Sequence, residues 1–466
     1  MSHAAGGSAT QRLFARQRFG IHPGLDRTRA LLARLGHPQR EFETVLVAGT
    51  NGKGTVVAVL DEVLRADGRD VGRFVSPHLI RPGERIRTHG RDATDERFER
   101  LAGAVLPHAD AVDATFFEIL VAMACLAFAE DEVAVGLFEV GLGGRLDATN
   151  ALHPVASAIA QIALDHTEVL GPDVRAIAKE KAGIVREGVV TWTHARGEAL
   201  GTLRDEAGRV RASLRSLRAF EEDPATIDRD RAPCDALTWT TSVSPAGTRF
   251  RLDLPGVPQD EAYLPLVGRA AAENAALALC VARELGASPV AMHTGVANVR
   301  WPGRFERVLG RVPPYRGVPI RLDGAHNPAA AAALARTLQR FGARPAWVFG
   351  AARDKEIEAI VAELEVATGP VFVTRSMASP RAEAPERIVE RLGNSGLQVA
   401  GAYDDPRDAV AAALEAGRTH DGAEPGDPAN PFVDDASVVV AGSLYLVGEV
   451  RAWWADEPLP EWERWQ

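Results

Sequence analysis

Cysteine is scarce. Cys125, Cys234 and Cys280 lie far apart in a chain of 466 residues, with neither the spacing of a zinc site nor the density of a disulfide framework. A reducing cytoplasm is the expected compartment. Surplus positive charge is also missing: the formal net charge is −10 at pH 7, whereas a nucleic-acid binder carries a basic footprint. Nucleic acid is therefore not an expected partner, and an anionic ligand would need a local basic pocket. Long apolar runs are lacking too. The longest, Ile119–Ala129, is closed off by Glu118 and by Glu130-Asp131-Glu132, and it falls well short of the roughly 20 residues that cross a bilayer. It reads as a buried helix, with no membrane partner expected. Residues Met1–Gly20 hold arginines and small residues without an apolar stretch, so no secretory signal is expected there.

What is present is an ordinary globular composition, 46% hydrophobic and 25% charged, in a chain long enough for two or three domains. Strand-like runs at Thr44–Ala48, Val71–Val75, Val133–Val140 and Ala156–Leu164 alternate with helical patterns. That alternation is the mark of a mostly parallel sheet covered by helices on both faces. Two further β-like runs, Ala236–Thr241 and Arg249–Leu254, precede an alanine-rich helix at Ala270–Leu285. The breaker-rich stretch Trp301–Pro319 reads as an interdomain connection. After it a second βα series runs through Val318–Leu322, Ala346–Phe349, Val371–Val373 and Ser437–Val440. The expectation is an α/β protein with a larger unit at 1–305 and a smaller one at 306–466. Arg418–Asp435, acidic and proline-containing without periodicity, reads as a solvated surface loop.

The most informative segment is Val45–Ala48 running into Gly49-Thr50-Asn51-Gly52-Lys53-Gly54-Thr55 and then Val56–Leu60. It reads as strand, glycine-rich turn and helix. Glycines let backbone N–H groups approach a phosphate, the helix N-terminus offers unpaired donors, and Lys53 adds a point charge. The spacing departs from the common GxxxxGK[ST] pattern, because Gly54 separates Lys53 from Thr55. Lysine plus hydroxyl at a helix start nonetheless favours a nucleoside-triphosphate cradle over a tight structural connection.

Ligands of open parallel sheets collect at the carboxyl ends of strands. Two more segments end strands there: Glu139-Val140-Gly141-Leu142-Gly143-Gly144-Arg145-Leu146-Asp147, and Asp165-His166. Mg²⁺ prefers oxygen ligands and bridges nucleotide phosphates, so Glu139 fits as a ligand. Taken alone, His166 reads more readily as structural, and Glu139 divides evenly between the two roles.

The motifs taken together resemble a known family. Gly49–Thr55, Ser76-Pro77-His78-Leu79, Thr115-Phe116-Phe117-Glu118, Glu139–Asn150, Leu164–Gly171, Glu180-Lys181-Ala182-Gly183-Ile184 and Asp323-Gly324-Ala325-His326-Asn327-Pro328 are similar, in order, to those of the folylpolyglutamate synthase and dihydrofolate synthase family of Mur-type ligases. The resemblance covers roughly residues 40 to 450. It implies a P-loop ATPase domain followed by a smaller Rossmann-like ligase domain, with ATP and Mg²⁺ as cofactors. It further implies that Lys53, with Gly49, Thr50, Asn51, Gly52, Gly54 and Thr55, holds the phosphates. Ser76, Glu139 and His166 then resemble the Mg²⁺ ligands. Lys181 matches a lysine carried as a carbamate, which could serve a second Mg²⁺. Asn274, Arg304 and Asp323 resemble nucleotide-contacting residues, and His326 and Asn327 the second domain's share of a closed site. Thr115, Phe116, Phe117, Glu118 and Asp147 line up with the pterin-substrate region, although aromatic residues starting an apolar helix also suit a core. Ser443 sits in a matching C-terminal turn, where plain turn chemistry would serve equally.

Two places depart from the pattern. Ile80-Arg81-Pro82-Gly83-Glu84-Arg85-Ile86 stands where relatives tend to have Phe-Asn before Glu-Arg, so its turn is expected to persist while its substrate contacts are not assured. Gly350–Glu356 resembles a Gly-x-x-x-Asp-Lys-Asp turn with Glu last, which leaves Asp354 and Lys355 as secondary candidates. The implied activity is ATP-dependent addition of L-glutamate to 7,8-dihydropteroate and to folates by a monomeric enzyme of small molecules. A monofunctional folylpolyglutamate synthase is the nearest alternative. Another Mur-type ligase should lack the Thr115–Glu118 and Ser76–Leu79 combination, and a non-catalytic nucleotide switch should lack Lys181 and the Asp323–Asn327 run.

Overall fold

The computed structural model describes residues 7–16, 23–220, 234–367, 369–393, 397–420 and 437–458. Two sheets organise them. The first has eleven strands: β1 Glu43–Ala48, β2 Val71–Phe74, β3 Ile86–Thr88, β4 Arg91–Asp92, β5 Val135–Glu139, β6 Pro154–Ile159, β7 Val190–Thr193, β8 Ser213–Phe220, β9 Ala236–Ser244, β10 Gly247–Asp253 and β11 Ala262–Leu264. Their order is β11-β10-β9-β8-β7-β6-β1-β5-β2-β3-β4. Strands from β9 through β2 run parallel, while the hairpins at either end are antiparallel.

β1 lies at the middle of the parallel region, and its sequence shows why. Val45 and Val47 enter one apolar cluster and Leu46 and Ala48 the other, so both faces are buried and the strand reads as an unbroken hydrophobic run. Helices Lys53–Ala66, Arg269–Glu284 and Pro289–Ala297 cover one face. Helices Asp95–Asp110 and Phe116–Glu130 cover the other. The expected buried helix at Ile119–Ala129 is thus part of Phe116–Glu130, and among the described residues no helix is long and apolar enough to cross a membrane.

The second sheet has six strands: β12 Glu306–Leu309, β13 Pro319–Leu322, β14 Ala346–Phe349, β15 Val371–Val373, β16 Val399–Ala402 and β17 Val438–Ala441, in the order β12-β13-β17-β14-β15-β16. All neighbours are parallel except β12 and β13. It too is buried on both faces, with Trp347 and Phe349 on one side and Ala346 and Val348 on the other.

Three readings of the sequence are corrected. The run Ala156–Leu164 stops being a strand at Ile159, because the chain beyond it turns to follow the phosphate loop: Thr50 N–H donates to the Gln161 carbonyl at 2.6 Å, and Asn51 bridges Gln161. The Trp301–Pro319 connection contains a strand, β12, whose edge position beside β13 tolerates the flanking breakers. Helix Pro406–His420 takes in the first residues of the loop expected from Arg418; residues 421–435 lie outside the described residues.

Gly295 sets how closely helix Pro289–Ala297 approaches the phosphate-loop helix. A Cβ at this position would collide with the Val63 backbone. Gly295→Val should therefore destabilise the protein by about 1–3 kcal/mol, read as a lower urea midpoint with unchanged slope. A wild-type midpoint would contradict this packing.

Candidate active site

The carboxyl ends of β1, β5 and β6 form the floor of a cleft of about 1670 Å³, and its opposite wall is supplied by the turn after β13 and by helix Pro328–Arg340. Register places Val47 beside Glu139 and Ala48 beside Ile159, so the loop leaving β1 passes between Glu139 and the Ala160–Leu164 segment. Gly49 has φ 149° and Gly52 φ 88°, conformations that a side chain would strain. A Cβ on Gly52 would also strike the Asn274 amide.

Two lysines converge on this loop. Lys53 Nζ donates to the carbonyls of Gly49 at 3.1 Å and Thr50 at 3.2 Å. Lys181, 4% exposed, donates to the same Gly49 carbonyl at 3.0 Å. Burial, then the neighbouring Lys53 charge, lowers the Lys181 ammonium to about 7, against a weaker pull from Asp165 and Asp147. Near neutral pH a large share of Lys181 is therefore an uncharged amine.

Glu139 is buried, and its Oε2 accepts the Ser76 N–H at 3.1 Å. Burial raises its pKa, opposed by Lys53, the Ser76 N–H, Arg304 and Arg85. A bound cation would favour the carboxylate form. His166 is in the left-handed region at φ 50°, which aims its half-exposed ring across Asp165, with Nε2 at 3.8 Å from Oδ1. Burial lowers its pKa, leaving a neutral ring with a free lone pair. Among the described residues no three His, Cys, Asp or Glu side chains converge as a metal cage. Glu139 and the Ser76 hydroxyl are oxygen donors of the kind Mg²⁺ takes beside waters and phosphate oxygens, whereas the His166 imidazole is a less usual donor for it.

From the second sheet come Asp323, His326, Asn327 and Lys355. Both Asp323 oxygens are used at 2.8 Å, by the N–H groups of Phe305 and Ala325. Burial raises its pKa while Arg304 opposes; the carboxylate thus holds the turn that carries Arg304 into the cleft. His326 Nδ1 bonds the Gly324 carbonyl at 2.8 Å, leaving Nε2 as an acceptor. Burial and the Lys355 charge lower its pKa to about 4, so the ring is neutral. The C-terminal helix Leu444–Trp454 closes one end, where Gly448 meets the Leu79 carbonyl so closely that no Cβ fits. Ser443 precedes this helix and makes no capping bond.

The five residues aligned with pterin binding do not border the cleft. Thr115 caps helix Phe116–Glu130, its N–H donating to Glu118 at 2.7 Å while the Glu118 N–H reaches the Thr115 hydroxyl at 3.4 Å. Glu118 also pairs with Arg27 at 3.1 Å. Phe116 packs on Phe14, with Arg85 over its ring. Phe117 fills the space beside Gly141 and Phe74. Asp147 is buried and accepts from Leu142 at 2.9 Å and Thr149 at 3.0 Å, holding the glycine-rich turn after β5. The Ile80–Ile86 turn persists: Glu84 accepts the N–H groups of Leu79, Ile80 and Arg81 at 2.8, 3.0 and 2.8 Å.

The sequence reading singled out the Asp165-His166 segment without giving Asp165 a role of its own, and it left His194 out of the site. Asp165 accepts from Lys355 at 2.7 Å and from Asn327 at 3.0 Å, and Lys355, with the flanking histidines, pulls its pKa far below the usual carboxylate range despite burial. Its place after a strand was the available signal. His194, buried at the end of β7, bonds Asn274 Oδ1 at 2.9 Å and orients that amide. A lone histidine after an apolar strand carries no local sign of this. Asp354 pairs with Arg381 at the surface and stays out of the cleft.

Comparison with known proteins bears on the same cleft. The model of the Mur ligase glutamate ligase domain matches residues 303–423. The dihydrofolate synthase/folylpolyglutamate synthase of Bacillus subtilis is 33% identical over 94% of this chain and 96% of its own. A probable bifunctional folylpolyglutamate synthase/dihydropteroate synthase of Haloferax volcanii is 36% identical over 97% of this chain, which spans about half (51%) of that protein. A Mycobacterium tuberculosis folylpolyglutamate synthase solved with ADP superposes with a TM-score of 0.81 at 32% identity, covering 96% of this chain and 98% of that one.

The capping box at Thr115 generates a direct test. Thr115→Ala should cost about 1 kcal/mol of stability, seen as a lower melting temperature, while nucleotide affinity measured by calorimetry is unchanged. A selective loss of pterin affinity without destabilisation would instead assign Thr115 to the substrate site.

Proposed function

Because this chain belongs to the dihydrofolate synthase/folylpolyglutamate synthase family of Mur-type, ATP-dependent acid–amino-acid ligases, we propose that its cleft joins L-glutamate to 7,8-dihydropteroate and to reduced folates. The observation that carries this reading is the convergence of Lys53 and Lys181 on the Gly49 carbonyl, facing the Asp323–Asn327 turn of the second sheet. The division at 1–305 and 306–466 belongs to the proposal, supported by the start of β12 at Glu306 and by the ligase-domain match from residue 303.

A carboxylate is a poor acyl donor because its charge repels nucleophiles. Its oxygen first takes the γ-phosphoryl group of ATP, releasing ADP and leaving an acyl phosphate. The glutamate amine then bonds to the acyl carbon, the C–O bond to phosphate breaks, and the amine loses a proton. Phosphoryl transfer depends on positioning and on neutralised oxygens. Lys53 supplies a fixed charge at the loop, and the N–H groups of Gly52–Thr55 supply donors at a helix start. Mg²⁺, when bound, neutralises phosphate charge, with Ser76, Glu139 and His166 as its holders. Neutral His326 presents Nε2 as an acceptor for the incoming amine. Arg304, fixed by Asp323, faces the nucleotide together with Asn274, whose amide His194 orients.

Lys181 is assigned the carbamate role. A neutral amine adds to CO₂ with loss of one proton, turning a cation into a carboxylate able to hold metal. Its lowered pKa supports this, because an ammonium cannot react. The sign follows: the reactive amine grows as pH rises through about 7. CO₂-stripped enzyme given fixed CO₂ should regain more activity at about pH 8 than at about pH 6. Lys181→Ala should lose most activity and be partly restored by short carboxylates, though not by bicarbonate. Recovery that ignores pH, or a bare Lys181 amine seen by mass spectrometry under gentle, non-acidic conditions in the active, metal-loaded enzyme, would refute the carbamate.

The reading as a whole is tested by ADP release with dihydropteroate or tetrahydrofolate plus L-glutamate. Both acceptors should be used, and Lys53→Ala should lower turnover by on the order of 10²–10³, the typical cost of one preorganised electrostatic contact. Activity on tetrahydrofolate alone would leave a monofunctional folylpolyglutamate synthase. Near-normal ADP release by Lys53→Ala would remove Lys53 from the phosphate site.

A further inference from the structure

Asn51 of the phosphate loop and Asn327 of the second sheet, 276 residues apart, exchange hydrogen bonds through their side-chain amides. Asn51 Nδ2 donates to Asn327 Oδ1 at 3.1 Å, and Asn327 Nδ2 donates back to Asn51 Oδ1 at 2.9 Å. The second Asn327 proton goes to Asp165 Oδ2 at 3.0 Å, and its Oδ1 also accepts the Ala330 N–H at 2.9 Å, capping helix Pro328–Arg340. The side chain is 2% exposed and uses both donors and both acceptor sites. Asn51 is fixed from the other side as well, because its Nδ2 reaches Gln161 Oε1 at 3.2 Å. Asp165 completes the set with Lys355 at 2.7 Å.

A fully satisfied buried network accepts one arrangement and punishes others. Shifting the second sheet away from the first would leave the Asn51 amide and the Asp165 carboxylate without these partners at the base of the phosphate loop. We propose that Asn327 is a positioning residue whose amide clasp on Asn51 and Asp165 couples closure of the cleft to the geometry of the phosphate loop, and so keeps water from the acyl phosphate. This rests on the ligase reading above. With the clasp lost, water oxygen attacks the acyl carbon and the C–O bond to phosphate breaks. Carboxylate, phosphate and protons are released, and ATP is hydrolysed to ADP with no amide formed.

The test compares wild type, Asn327→Ser, Asn51→Ala and the double variant in the full chain. Serine keeps a capping oxygen at residue 327 but cannot span to Asn51, and Asn51 caps nothing, so at least one variant is spared helix loss. The quantities measured are ADP released per amide formed, the KM for ATP, and cleft closure by small-angle scattering with ADP bound. The wild type should give a ratio near one. Each single variant should lose amide turnover by on the order of 10²-fold, as for a small misplacement of reacting groups, with a ratio raised several-fold; the KM for ATP should stay nearly unchanged in Asn327→Ser, whose altered side chain lies outside the phosphate loop. The double variant should be no worse than either single one. A ratio that stays at one, or losses that multiply, overturns the clasp. Scattering gives an answer independent of turnover: Asn327→Ser should adopt a more open average form, and an unchanged profile refutes the clasp even if the wild type proved inactive on every pterin acceptor, which would count separately against the ligase reading.

Discussion

The carbonyl oxygen of Gly49 is the point on which the site depends, because two lysines from different segments donate to it. Burial first, and then repulsion between ammonium groups brought together beside the loop, depress the pKa of Lys181. Such a site is left incomplete until an anion arrives or one amine becomes neutral or carboxylated. A chain with a net charge of −10 thus holds a locally basic cleft, to which Arg304 adds. The phosphate loop and the carbamate and metal-holding roles proposed above draw on one electrostatic arrangement.

That arrangement is held from two sides. On the first sheet, the chain beyond β6 follows the phosphate loop and bonds it at Thr50 and Asn51. From the second sheet, Asn327 and Lys355 reach Asn51 and Asp165. Neither unit carries the whole site. The division of labour suits a reaction whose intermediate is destroyed by water, since closure both assembles the groups and dries them.

Local patterns made much of this legible. The hydrophobic run of β1 and its glycine-rich continuation identify a strand, a phosphate turn and a helix because each depends on neighbouring residues alone. The same holds for Glu139 at the end of β5 and for the βα series after residue 318. The capping box at Thr115–Glu118 was equally local: hydroxyl and glutamate three apart before an apolar helix is a known helix-start signature. Family likeness assigns a substrate role there; in the structure the two side chains hold the helix end, and Glu118 also pairs with Arg27.

The sequence by itself determined the alternation of strands and helices, the phosphate turn and which residues could carry charge, because these follow from side-chain period, glycine geometry and ionisable chemistry. Only the tertiary structure decided where β6 ends, that β12 forms inside a breaker-rich stretch, that His194 orients Asn274, and that Asn51 meets Asn327. Each of these needs a hydrogen-bond partner distant in the chain. Such a partner leaves no trace in local periodicity, since what selects it is burial of polar groups that must be satisfied once the two sheets come together.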